Sequence, residues 1–153
     1  MNALGGNADV THALMVSSHL KGSIKHRSIE HLCKGPEIPL PDGITFLDKD
    51  GHRQDHARFR WWDPAATTYR TACEVPPNCP KLPDRTIEDL PVLPYTAPTP
   101  VLFGHYWRNW EEREVSDRAA CVDHSAVLGG PLTAYRWSRG EKTLTTDRLV
   151  DAS

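Results

Sequence analysis

The chain has 153 residues, 39% of them hydrophobic and 25% charged, with a formal net charge of −2. That length is one domain's worth of chain and can bury a real core. Near-neutral charge excludes nucleic acid or an acidic membrane as a partner held by bulk charge. No window approaches the ~20 apolar residues of a membrane span. Cys33, Cys73, Cys79 and Cys121 are scattered, with no Cys-x-x-Cys pair and no zinc-finger spacing. Met1 to Val10 has no basic region followed by an apolar run. The thiols therefore read as reduced, and the protein as cytoplasmic.

Asp9 is placed to cap a first helix, with apolar positions at Val10, Ala13, Leu14 and Leu20. Lys21-Gly22-Ser23 breaks it, and Ser23 caps a second helix over Ile24 to Lys34. Ile24, Ser28, Ile29, Leu32 and Cys33 share one face of that helix at the 3.6-residue period. Gly35-Pro36 ends it, because proline cannot continue a helix and glycine suits the cap. Pro39 to Gly43 is a rigid turn, Ile44 to Leu47 a short strand, and Asp48-Lys49-Asp50-Gly51 a hairpin turn. The partner strand, Arg53 to Trp62, sets Ala57, Phe59 and Trp61 on one face and His56, Arg58 and Arg60 on the other. With Trp62, that basic face could meet a phosphate or a base, or it is a solvated, charge-protected edge.

Thr67 to Cys73 fits helix or strand. Glu74 to Pro100 carries eight of the thirteen prolines and must be an extended connection. Ile87, Leu90, Val92, Leu93 and Tyr95 make residues 76–100 too apolar for a free linker, so the segment is expected to pack on the domain. Thr86 to Leu90 has room for one helical turn. Val101 to Phe103 is a short apolar run that reads as a buried strand. Gly104 and His105 follow at once, where a loop edge often holds binding groups. Arg108 to Arg118 is a polar loop, Ala119 to Ser125 a second buried strand, Leu128 to Pro131 a turn, and Leu132 to Trp137 an antiparallel return. The last residues are expected to fray.

Three blocks in order carry a resemblance: Phe103-Gly104-His105-Tyr106-Trp107, Cys121-Val122-Asp123-His124-Ser125, and Gly129-Gly130-Pro131-Leu132-Thr133-Ala134-Tyr135-Arg136-Trp137. Upstream, Lys34 to Gly43, Asp48-Lys49-Asp50-Gly51-His52 and Trp61-Trp62 fit the same pattern. From about Ile29 to Leu144 the chain resembles the C-terminal part of the calcineurin-like metallophosphoesterases, in the bacterial serine/threonine phosphatase and diadenosine-tetraphosphatase-like branch. The resemblance implies an α/β fold. Residues 1–153 would be a single partial domain, an incomplete four-layer sandwich with N-terminal helices followed by mainly antiparallel strands. It implies hydrolysis of a phosphate ester or phosphoanhydride, in a phosphoprotein or a dinucleoside polyphosphate, by two divalent ions such as Mn, Fe or Zn. Two such metals about 4 Å apart clamp phosphoryl oxygens and generate hydroxide.

The family draws its ligands from several motifs, and the one read here is the last, Gly-His-x-His. His105 matches its first histidine, a metal ligand, and Trp107 stands where the second would be. Gly6-Asn7-Ala8-Asp9 is similar to the family's Gly-Asn-His-Asp, with Ala8 in place of the histidine that protonates the leaving group. One ligand cannot build a two-metal centre, so the chain alone is expected to be inactive and to hold metal poorly. A missing half-sheet would leave an exposed edge and favour self-association. Gly104, Trp107 and Asp123 are the candidates for contacts behind the ligand or with a phosphorylated substrate. Asp123 in particular could orient the His105 ring.

Other histidines fit surface roles. His12, His19 and His26 lie seven apart, and His52 and His56 could form a weak metal clip. Trp107 and Trp110 suit base stacking or packing. A non-catalytic binding module, using the proline-rich segment or the basic hairpin, is the rival reading.

Overall fold

The structure, a computed structural model, describes residues 11–48, 50–90, 95 and 97–152. Contacts divide the chain into two compact units, Met1–Pro36 and Glu37–Ser153. The fold is mixed α/β.

The first unit is a helical pair, α1 (His12–Ser18) and α2 (Ile24–Lys34). Asp9 lies outside the described residues. Thr11 caps α1, its hydroxyl accepting the Leu14 N–H at 3.1 Å. Ser23 does the same for His26 at 3.0 Å, and Gly35 at φ 81° ends α2. Two hydrogen-bonded caps explain why such short helices hold. The His26 ring donates from Nδ1 to the Ser18 carbonyl at 2.7 Å and ties α2 to α1. The expected buried face of α2 is not found. No residue of α2 is buried, and Ile24 and Leu32 are largely exposed. Eleven residues packed against seven cannot enclose an apolar stripe.

The second unit is built of small sheets. β1 (Glu37–Pro39), β4 (His56–Phe59) and β5 (Cys73–Glu74) form an antiparallel sheet in the order β1-β4-β5. β2 (Phe46–Leu47) and β3 (Arg53–Gln54) form the expected hairpin. The Arg53–Trp62 stretch thus splits between two sheets, and β4 is a central strand rather than an edge. Its alternation holds, since Ala57 and Phe59 are buried between the ladders. Trp62 is only 3% exposed, so it offers no face to a phosphate or base. Arg58 pairs with Glu37 at 3.2 Å, and Arg60 with Glu74 at 2.7 Å.

Thr68 and Thr71 exchange side-chain and backbone bonds in a capping box that starts the one-turn helix α3 (Tyr69–Ala72), and the chain then runs straight into β5. No helical turn forms at Thr86–Leu90. That stretch lies alongside residues 67–70 instead, with Ile87 N–H on the Thr67 carbonyl at 2.9 Å and Tyr69 N–H on the Arg85 carbonyl at 3.1 Å. Pro83 starts this run extended, and Ile87 and Leu82 reach the core. Val92 and Leu93 lie outside the described residues.

β6 (Val101–Phe103) and β7 (Ala119–Cys121) pair in parallel, register Leu102↔Ala120. The strand after β7 does not return on it. β8 (Thr133–Tyr135) pairs with β9 (Leu149–Asp151), so the terminal residues expected to fray are ordered as a strand. A first core gathers Ile38, Leu40, Ala57, Phe59, Leu82 and Ile87. A second gathers Trp62, Tyr106, Ala119 and Cys121, and Trp61 packs on both. No helix among the described residues is long and apolar enough to cross a membrane.

Phe59, 1% exposed, is the largest side chain fully enclosed among the described residues. Phe59→Ala should lower the unfolding free energy by about 3–5 kcal/mol in urea melts. A loss under about 1 kcal/mol would show that this core is loosely packed.

Candidate functional site

Parallel strands end side by side, and in such sheets ligand-binding groups gather beyond the C-terminal ends. β6 ends at Phe103 and β7 at Cys121. Gly104-His105-Tyr106-Trp107-Arg108 leaves the first, and Val122-Asp123-His124-Ser125 the second. The four residues singled out from sequence, Gly104, His105, Trp107 and Asp123, thus sit on two adjoining loops.

The first loop alternates. Tyr106 and Arg108 are buried, while His105 and Trp107 face outward. Tyr106 packs edge-on against Trp62 and Phe103 and donates from its hydroxyl to the Phe59 carbonyl at 3.2 Å. Burial of alternate residues, Tyr106 and Arg108, goes with an unusual backbone at the two outward ones: φ is 75° at His105 and 51° at Trp107. A bulky residue at positive φ is an outlier that the surroundings must impose, at about 1–3 kcal/mol. Ser125 on the second loop, at φ 61°, is another.

Asp123 joins the loops. Its Oδ2 accepts the His105 backbone N–H at 2.8 Å, its Oδ1 accepts the Ser125 N–H at 3.3 Å, and its carbonyl accepts the Arg108 N–H at 3.1 Å. The expected contact was with the His105 ring; the bond found is to its backbone. Gly104 lies close beneath, where an added Cβ would sit 3.4 Å from that of Asp123.

Arg108 was read from sequence as part of a polar loop, yet its side chain is 4% exposed. Its Nη1 meets Glu74 Oε1 at 2.6 Å, Nη2 donates to the Glu112 carbonyl at 3.0 Å, and the guanidinium lies 5.7 Å from the Trp62 ring centre. Trp110, a stacking candidate, packs instead on His124 and beneath the Arg113 guanidinium. His124 is itself buried, Nδ1 sharing a hydrogen bond with Thr133 Oγ1 at 2.9 Å. Its Nε2 has no partner. Burial, helped by Arg108, holds this imidazole below the ordinary histidine range. Burial pushes the Cys121 thiol up to about 11 and Cys73 up to about 12, so neither supplies a thiolate nucleophile or ligand at neutral pH.

The fit to a two-metal centre fails on ligand number. Among the described residues, one group of three metal-ligating side chains comes together, Asp48, Asp50 and His52, and it does not include His105. Within the Asp48–His52 block already matched to the resemblance, Asp50-Gly51-His52 carries an Asp-x-His spacing like that of the family's first motif, which the sequence analysis does not single out. It lies in the β2–β3 turn, where Asp48 is already committed. Asp48 accepts the N–H groups of Asp50 and His52 at 3.0 and 2.8 Å and the Gln54 amide at 2.7 Å. Those bonds, the His52 one foremost, hold its carboxyl below the usual range. His56 turns its Nδ1 to Asp55 at 2.7 Å. His19 Nδ1 meets its own helix at the Met15 carbonyl. A groove of about 510 Å³ lined by Ile38, Tyr69 and Arg85 contains none of the residues singled out from sequence as site candidates. The Gly6–Asp9 motif lies outside the described residues. No protein-family model, curated protein or solved structure matches the chain.

Two measurements test this description. Trp107→Gly should change the unfolding free energy by less than about 2 kcal/mol, because relief of the positive φ offsets part of the contact that the half-exposed indole gives up. A loss above about 2 kcal/mol would mean that the indole is packed. The folded-state value of His124 lies below its ordinary 6.5, so between the two the unfolded chain binds the extra proton. The stability His124 contributes is intact above pH 6.5 and is lost as pH falls through the folded value. His124→Asn, which can still bond Thr133, should flatten the slope of unfolding free energy against pH in that window; an unchanged slope would place the titration elsewhere.

Proposed function

We propose that residues 1–153 are the C-terminal part of a two-metal phosphoesterase of the calcineurin-like class, a single partial domain within an incomplete four-layer sandwich. His105 would be its one metal ligand from this stretch. The observation that supports this reading is the outward His105 at the C-terminal end of a parallel strand pair, on a turn whose neighbours are buried anchors. The described residues do not make a metal centre by themselves, so no hydrolytic step is assigned to them. The other carboxylate and histidine ligands would come from additional segments carrying Asp-x-His, Gly-Asp-x-x-Asp and Gly-Asn-His-Glu.

A phosphorylated substrate, phosphoprotein or dinucleoside polyphosphate, belongs to the same proposal, as does a cytoplasmic location. So does self-association. In a parallel ladder alternate residues bond to one side, and Val101 and Phe103 face β7 through the Val101 N–H to Arg118 and the Val122 N–H to the Phe103 carbonyl. Leu102, 47% exposed, therefore turns its backbone groups to the open edge. The binding-module alternative loses its basic hairpin, since Arg58 and Arg60 are engaged by Glu37 and Glu74.

The coding DNA upstream of Met1, translated in all three forward frames, tests the proposal. The missing motifs are expected there, and their absence would overturn it. The purified chain should show no Mn²⁺-dependent hydrolysis of bis(4-nitrophenyl) phosphate. Turnover abolished by His105→Ala would overturn the inactivity of the chain alone.

A further inference from the structure

We infer that Asp123 is a positioning residue, whose carboxylate and carbonyl together fix the turn that aims the His105 imidazole outward. The inference rests on reading His105 as the functional group of this loop. One residue brackets the turn at both ends. Its Oδ2 holds the N–H of His105 at 2.8 Å, and its carbonyl holds the N–H of Arg108 at 3.1 Å. Between these two bonds lie both left-handed residues of the loop, His105 and Trp107. The anchors Tyr106 and Arg108 fix where the loop goes down, and Asp123 fixes how it turns up at His105, before the first of them.

The chemistry suits the task. An ionised carboxylate has about four acceptor positions, and its bonds to N–H groups are roughly twice as strong as neutral ones. The bond to His105 is the shorter of the two that the carboxylate makes to backbone. The second, to Ser125, fixes the carboxylate by a residue that is itself left-handed. Because the bond goes to the backbone, it sets the Cα–Cβ direction of residue 105 whatever side chain is carried there. The ring of His105 inherits that direction.

The test uses the full 153-residue chain, isotope-labelled, by NMR. In the wild type the His105 amide should be strongly deshielded, with a coupling constant that reports positive φ. In Asp123→Ala that amide should shift upfield and the His105 ring signals should move to random-coil values, while Ala57 and Phe59 signals stay in place. Asp123→Asn, which keeps one carbonyl oxygen, should shift the same signals by less; it decides the matter if the alanine variant does not fold. In the double variant His105→Gly/Asp123→Ala the Trp107 and Arg108 amides should return towards their wild-type positions, since glycine takes the turn without the clamp. A role in bulk stability alone would not be rescued this way. His105 signals unchanged in both single variants, or no recovery in the double variant, would overturn the inference. Co²⁺ added to the wild type separates it from the metal reading: absence of broadening at the His105 ring counts against the phosphoesterase proposal and leaves the clamp standing.

Discussion

The second unit depends on a single half-buried carboxylate. Glu74 Oε1 receives both Arg60, at 2.7 Å, and Arg108, at 2.6 Å. Arg60 follows the central strand β4, Glu74 ends the edge strand β5, and Arg108 ends the turn that displays His105 and Trp107. One oxygen therefore ties the antiparallel sheet to the loop beyond the parallel pair. Bringing two guanidiniums to one carboxylate out of water is unfavourable unless the geometry is good, and removing the carboxylate would leave two guanidiniums uncompensated, at about 3–5 kcal/mol. Such an arrangement selects one packing of the two cores against others. The aromatic group of Trp61, Trp62, Phe103 and Tyr106 fills the space beside it, with ring centres 4.6–5.7 Å apart.

Those two features explain how a unit of two- to four-residue strands holds a defined loop. Sheets this short are marginal by themselves. Side chains that bridge them do the joining: Tyr106 to the Phe59 carbonyl, Arg108 to Glu74, and Arg118 to the carbonyls of Pro98 and Lys142. The display of His105 is a product of that bridging rather than of any long element.

What the sequence made legible was local. The Ser23 cap and the Gly35-Pro36 stop delimit α2, because capping and helix termination are decided within a few residues. The β2–β3 hairpin is written in its Asp-Gly turn, and the alternation of Ala57 and Phe59 in β4 follows from the pleat. What depended on distant partners was not legible. Nothing near Trp62 says that Phe103 and Tyr106 will enclose it. Nothing near Arg108 announces Glu74, 34 positions away, and nothing near Leu149 says that Thr133–Tyr135 will pair with it. At the candidate site the spacing of Gly104, His105 and Asp123 was legible and their proximity held, yet the bond formed on the backbone and not on the ring. Positive φ at Trp107 carries no signature in the sequence, since tryptophan is not a residue chosen for that conformation. The Asp50-Gly51-His52 spacing was present to be seen, and its burden of loop hydrogen bonds was not.

The thiols give the molecule two internal clocks. Cys73 lies in the first core and Cys121 in the second, both buried and both protonated at neutral pH. Cys33 is exposed. A thiol reagent therefore modifies Cys33 and the part-exposed Cys79 readily, and reaches Cys73 and Cys121 only when their own cluster opens. Because each core holds one such group, the order in which Cys73 and Cys121 become labelled reads which cluster breathes first. If Glu74 fastens the two together, both clocks run at one rate.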